Sequence, residues 1–155
     1  MQNQALVILI TGGTRGIGAA IAAQLLNCGH RVYVTQRAPV KTGSQDGPGV
    51  LSLDITNGAS VTACVHGVLR REGRIDVLVN NAGYDLFGAV YETEWHEFMD
   101  QLDTNFLGAV RMVKAVLPDM LKRRTGRIIN ISSIGGELGL PMNAAYSASK
   151  FAIEG

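Results

Sequence analysis

The stretch Ala5-Leu6-Val7-Ile8-Leu9-Ile10-Thr11-Gly12-Gly13-Thr14-Arg15-Gly16-Ile17-Gly18 decides the fold. Its first six residues form an unbroken apolar run, the kind that is buried on both faces of a parallel sheet. A glycine-rich turn follows, and Ala19–Asn27 then reads as a helix stopped by Gly29. Strand, glycine turn and helix in that order give the turn chemical meaning. Glycines let the backbone approach a pyrophosphate, and the helix N-terminus offers it free N–H groups and a partial positive charge. A tight βα turn without a ligand is the plainer reading of the same residues.

Outward from that turn, Arg31–Gln36 alternates apolar and polar and reads as the second strand. Dinucleotide sites that hold an unphosphorylated adenosine ribose place an acid about twenty residues past the loop. Here Gln36-Arg37 stands there, and no acid follows until Asp46. Arg15 and Arg37 can hold a 2′-phosphate by charge-assisted, bidentate contacts. NADP(H) is therefore the expected cofactor, with NAD(H) as the second choice; two solvated surface arginines are the alternative. Ala38–Gly49 reads as loop and Val50–Leu53 as a third strand. Asp54 then reads as a turn carboxylate before a helix capped near Thr56 or Asn57. Ser60–Glu72 reads as an amphipathic helix, with Arg70 and Arg71 suiting its C-terminal dipole, and Ile75–Val79 as the fourth strand. Glu92–Arg124 reads as a helix in two pieces or with a bend. Trp95, Phe98, Met99, Leu102, Phe106, Ala109, Val110, Val113 and Leu117 recur in it at core-facing spacing. Asn105 interrupts that apolar pattern, and a buried amide is costly unless hydrogen-bonded.

Arg127–Ile131 is a β-branched run that reads as a fifth strand. It ends at Ser132-Ser133, and Gly135-Gly136 turn the chain. From Asn143 the residues take helical spacing, so Tyr146 and Lys150 lie one turn apart on one face. A free phenol titrates near about 10, and an ammonium within about 4–6 Å stabilises the phenolate. Such a tyrosine can give a proton to, or take one from, an alcohol or carbonyl oxygen. Ser133 can donate to that same oxygen as charge develops.

Taken together these residues resemble the short-chain dehydrogenase/reductase family. The loop spacing Thr11-Gly12-x-x-x-Gly16-x-Gly18, Asn80-Asn81-Ala82-Gly83 after a strand, Asn105 in a long helix, Ser133 and Tyr146-x-x-x-Lys150 occur in the family's order. The resemblance implies a Rossmann-type, doubly wound parallel sheet in three αβα layers, with strand order 3-2-1-4-5 and a single dinucleotide-binding domain over residues 1–155. It implies hydride transfer between a nicotinamide and a carbonyl or secondary alcohol. Asn105, Ser133, Tyr146 and Lys150 would be catalytic. Gly12, Thr14, Arg15, Gly16, Ile17, Gly18, Arg37, Asp54, Ile55, Asn81, Ala82, Gly83, Tyr146 and Lys150 would hold the cofactor. Asp54 would accept from the adenine amino group, and Asn105 would relay protons through water to Lys150. A buried Asn105 tied to backbone is the alternative. The nearest branch by motif is that of the hydroxysteroid and retinol dehydrogenases. The substrate would then be a small carbonyl or alcohol, a lipophilic one if Leu86, Phe87, Leu138, Leu140 and Pro141 line an apolar pocket.

Composition narrows the remainder. The chain has 155 residues, with 14 Lys and Arg against 13 Asp and Glu, so no electrostatic case for nucleic acid exists. Cys28 and Cys64 lack partners at metal-ligand spacing, so no metal site is expected. They read as reduced core thiols of a cytoplasmic protein. The run Ala5–Ile10 is too short to span a membrane. Family members continue past the position of Gly155, so strand five is expected to be left as an apolar edge and the chain to be incomplete at its C-terminus. The two long helices are expected to pair with a second copy. A nucleotide-binding or oligomerising fragment without turnover is the alternative function, and an epimerase or dehydratase relative is a further one.

Overall fold

A computed structural model describes residues 4–40 and 49–155. Five strands form one parallel sheet: β1 (Val7–Ile10), β2 (Arg31–Gln36), β3 (Val50–Ser52), β4 (Val77–Asn80) and β5 (Arg127–Asn130). Their spatial order is β3-β2-β1-β4-β5, and every pairing is parallel. The expected order and fold class are both met. Part of the loop read at Ala38–Gly49 lies outside the described residues.

β1 is central because all four of its residues are apolar and all four are buried. Alternation sends Val7 and Leu9 to one face and Ile8 and Ile10 to the other. The first face packs with α2 (Gly58–Glu72) and α4 (Gly108–Arg123) through Val61, Val65, Val68, Met112 and Val116. The second packs with α1 (Gly16–Asn27) through Ala22. Each such side chain contributes about 1.5–3 kcal/mol on burial. Asn57 starts α2 by accepting the Ser60 amide on its side chain. α5 (Ala144–Glu154) follows a single 3-10 turn at Ile134–Gly136.

The long third helical stretch is broken, as its pattern suggested. α3 (Trp95–Leu102) runs into a π-helical turn at Asp103–Leu107 and then into α4. A wider turn shifts the phase of the inward face. The core expected from sequence needs correction on both sides of that turn, by about one residue. Trp95 is 76% exposed and Met99 48%, and Val110 and Leu117 also face outward. The buried stripe is Gln101, Thr104, Asn105, Gly108, Ala109, Met112, Val116 and Met120. It is smaller and more polar than the side chains that drew the sequence reading. Gly108 fits there because Ile55 would crowd a Cβ at 2.9 Å. Cys28 is another correction. It is exposed where α1 ends, while Cys64 is buried, and burial pushes the Cys64 thiol up to about 11.

Charged groups stitch the N-terminal end of the sheet. The Asp76 carboxylate accepts from the Val7 amide at 2.9 Å, Arg74 at 2.9 Å and Arg123 at 3.2 Å. Arg123 also donates to the Ile75 carbonyl at 2.6 Å and to Asp119 at 2.8 Å, so it does more than suit a helix dipole. Glu72 accepts from Arg31 and from the hydroxyl of buried Tyr33. At the far edge, β5 pairs only with β4 among the described residues, and Ile129 is 46% exposed.

Candidate active site

At the opposite end of the sheet, the carboxyl ends of the strands open into a cleft of about 870 Å³. Open parallel sheets bind ligands at this place, where neighbouring strands send the chain to opposite faces.

The glycine loop forms one wall, and its shape follows from close contacts. Gly12 has φ +64°, and a Cβ there would lie 2.9 Å from the Ala82 Cα. Only glycine holds that conformation at that distance without strain. Gly18 is buried against the next turn, where a Cβ would meet the Asn81 side chain and the Gly12 carbonyl. The loop is braced from below. Thr11 Oγ1 accepts the amides of Asn81 and Ala82, both at 3.0 Å. Asn81 Nδ2 donates to the carbonyls of Thr11 and Gly12, both at 2.9 Å. The Gly12 amide reaches Thr35 Oγ1 at 3.1 Å. Asn81 thus locks β1 to β4 beneath the loop, which sequence alone described only as a strand-to-loop turn.

The loop fits a pyrophosphate. α1 begins at Gly16 with no side-chain cap from Arg15 and no acid in its first turn. Its first N–H groups therefore face the cleft without an internal anion. Thr14, Arg15, Gly16 and Ile17 line that wall, and Arg37 lines the cleft beyond the end of β2. Ile55, Asn81, Ala82 and Gly83 line the floor together with Thr35, Leu53 and Thr104. Asp54 is not among the lining residues. Its carboxylate accepts the Thr56 hydroxyl at 2.7 Å and the Thr56 amide at 3.0 Å. Those bonds, the hydroxyl first, hold it below the usual carboxylate range. The turn-carboxylate reading of Asp54 is met.

The second wall carries the groups able to move a proton. Tyr146 and Lys150 both line the cleft from α5. Lys150 Nζ lies 5.8 Å from the centre of the Tyr146 ring. It donates to the Ile131 carbonyl at 2.7 Å, and burial lowers its pKa. Ser133 does not line the cleft itself, but it borders the same space as Tyr146. A methyl group placed on Gly135 would stand 3.2 Å from Tyr146 Cε1 and 3.6 Å from Ser133 Oγ. Ser133 Oγ accepts the Gly135 amide at 3.2 Å, which leaves its own proton to donate. Ser132 lines the cleft, and its buried hydroxyl has no partner among the described residues.

Asn105 sits behind the wall. It accepts the Tyr84 amide at 3.1 Å and donates to the Tyr84 carbonyl at 2.9 Å and to Ser149 Oγ at 3.0 Å. Two of these bonds go to backbone, as the alternative reading expected, and the third goes to the Ser149 side chain. Gln101, fully buried one turn earlier, donates to the same carbonyl at 2.8 Å. The sequence reading missed Gln101, Tyr84 and Asp85. The signal for Gln101 was a second amide four residues before Asn105. For Tyr84 and Asp85 it was their place directly after Asn80–Gly83. The apolar candidates Leu86, Phe87, Leu138, Leu140 and Pro141 do not line the cleft. Phe87 and Leu138 are 69% and 59% exposed.

With this geometry in place, likeness to known proteins becomes decisive. Residues 6–155 match the short chain dehydrogenase family along their whole length. The chain belongs to the short-chain dehydrogenase family. It is 48% identical over 155 residues to a 3-ketodihydrosphingosine reductase of Bacteroides thetaiotaomicron, covering 100% of this chain and 56% of that protein. It is 41% identical over 163 residues to 17-beta-hydroxysteroid dehydrogenase type 1 of Mus musculus, covering 96% of this chain and 47% of the other. A solved point variant of actinorhodin polyketide ketoreductase with NADPH superposes with a TM-score of 0.87 at 37% identity, covering 96% of this chain and 61% of that one. The chain spans about half the length of the curated relatives it matches. Among the described residues no group of acids, histidines and cysteines is arranged to hold a metal. Among the described residues no helix is long and apolar enough to cross a membrane.

Proposed function

We propose that the protein reduces a carbonyl, or oxidises the matching secondary alcohol, with NADP(H) and with Tyr146 as the acid/base. The observation that carries this reading is one cleft lined by an uncapped glycine loop on one side and by Tyr146 and Lys150 on the other. The nicotinamide supplies or accepts the hydride. The protein positions the reacting carbon and handles the proton. Tyr146 gives its proton to the carbonyl oxygen. Lys150, 5.8 Å from that ring, supplies positive charge against the charge left on the phenol oxygen. Ser133 donates to the substrate oxygen and orients it. Asn105 and Gln101 hold the Tyr84 backbone and so fix the floor of the site. The preference for NADP(H) rests on Arg15 and Arg37, both on the cleft wall, and on Gln36 standing where an acid would end β2. A relative that reduces 3-ketodihydrosphingosine and another that acts on a 17-beta-hydroxysteroid favour a lipophilic ketone or alcohol.

Replacing Tyr146 with Phe in the full chain is expected to lower kcat by about 10²–10⁴ while NADPH binding is unchanged. Ordinary turnover in that variant would sink the assignment. Binding of NADPH without turnover of any ketone by the wild type would favour the nucleotide-binding module instead. The outward face of α3 and α4, with Trp95, Met99, Val110, Leu117 and Leu121 exposed, favours pairing with a second copy of the chain. Sedimentation at micromolar concentration is expected to give at least a dimer, and a monomer would remove that proposal.

A further inference from the structure

Ser149 is fully buried, and it stands in the turn of α5 between Tyr146 and Lys150. Its hydroxyl donates to the Tyr146 carbonyl at 2.7 Å and accepts Asn105 Nδ2 at 3.0 Å. In an α-helix the Tyr146 carbonyl is also the acceptor for the amide four residues on, which here is that of Lys150. One carbonyl thus joins the two groups that handle the proton, and Ser149 holds it from the side.

A serine inside a helix often bonds a carbonyl one turn back merely to satisfy its own hydroxyl. The bond to Tyr146 alone would do that. The bond from Asn105 goes further, because Asn105 Nδ2 already has the Tyr84 carbonyl at 2.9 Å. The start of α5 also lacks a cap of its own. Asn143 makes no side-chain cap there, and its amide is turned to Asp85 on the loop after β4. The Tyr146 turn is held instead from the π-helical turn beside it. Asn105 in that turn takes both the amide and the carbonyl of Tyr84, a residue that lines the cleft. The bonds therefore run from the Tyr84 backbone through Asn105 and Ser149 to the Tyr146 carbonyl. Lys150 is anchored at its far end by the Ile131 carbonyl at 2.7 Å.

We infer that Ser149 is a positioning residue: its hydroxyl locks the Tyr146–Lys150 turn to Asn105 and so sets where the phenol stands relative to the Lys150 ammonium. This rests on the reductase reading and deepens it. Ser149 is closed off from the cleft, so it acts through Tyr146 and not on the substrate or the cofactor.

The test compares the full chain with its Ser149→Ala variant, which removes the hydroxyl and keeps a good helix former. With NADPH and a ketone that the wild type reduces, kcat is expected to fall roughly ten- to hundredfold, as for a misplaced reacting group. KM and NADPH affinity should stay within about twofold, because no binding contact is lost. A lower melting temperature with kcat unchanged would overturn the inference and leave Ser149 as a packing residue. Asn105→Ala should also lower kcat, and the double variant should lose no more than the worse single one, because both act along one link. Additive losses would overturn the inference. Crystal structures of the wild type and Ser149→Ala read position without turnover. A Tyr146 ring displaced in the variant from its place 5.8 Å from Lys150 Nζ supports the inference even if the wild type reduces no ketone, an outcome that would defeat only the reductase reading. An unmoved ring overturns it.

Discussion

The two ends of the same sheet are built on opposite principles. At the N-terminal end, polar groups satisfy one another. Asp76 takes three donors from three parts of the chain, and Glu72 takes Arg31 and Tyr33. At the C-terminal end, polar groups are left waiting. The N-terminus of α1 has no side-chain cap, Ser132 Oγ has no partner among the described residues, and Asp85 faces the cleft. Titration behaviour follows the same division. Folding favours the charged form of Glu72, through the Arg31 hydrogen bond first. It disfavours the charged form of Lys150, through burial. One end is spent on stability and the other is kept for a ligand, as expected for a sheet whose loops carry the chemistry.

The contrast can be broken by moving stability and activity independently. The largest separation is expected from Tyr146→Phe, with turnover nearly gone and the melting temperature of the apoprotein unchanged. Asp76→Ala should do the reverse. It strands Arg74, Arg123 and the Val7 amide, and should cost about 2–4 kcal/mol in denaturant unfolding. NADPH affinity in the protein that remains folded should stay within about twofold of the wild type. A larger loss of affinity would mean that the two ends are coupled.

A smaller effect is expected at the cleft's outer wall. Arg37→Asp should weaken NADPH relative to NADH by roughly ten- to hundredfold, the worth of one charge-assisted contact replaced by repulsion. An unchanged ratio would take Arg37 out of cofactor selection. The smallest effect is one of pH. Because the folded value of Glu72 lies below its unfolded value of about 4.3, its pair stabilises the protein above that pH. That contribution is lost as pH falls through the folded value. Stability measured from about pH 6 down to pH 3 should fall more steeply for the wild type than for Glu72→Gln. Parallel curves would show that the pair adds nothing, as for many partly exposed ion pairs.

The sequence by itself determined the sheet, its order and most of the residues that line the cleft. A short apolar run that ends in a glycine-rich turn and a helix fits a strand buried on both faces. Twelve of the sixteen expected site residues line the cleft, and Gly18, Asp54, Asn105 and Ser133 lie just behind it. The tertiary structure alone decided which side of the third helical stretch faces inward. The buried stripe lies one residue from the expected apolar one both before the π turn, at Gln101 rather than Leu102, and after it, at Met112 and Val116 rather than Val113 and Leu117. It also decided what the polar residues touch. Asp54 belongs to Thr56, Arg123 to Asp76, and Asp85 to Asn143, 58 positions away in the chain. Helical and strand periods act over a few residues and can be read along the chain. Hydrogen bonds between distant residues exist only once the sheet has brought its strand ends together.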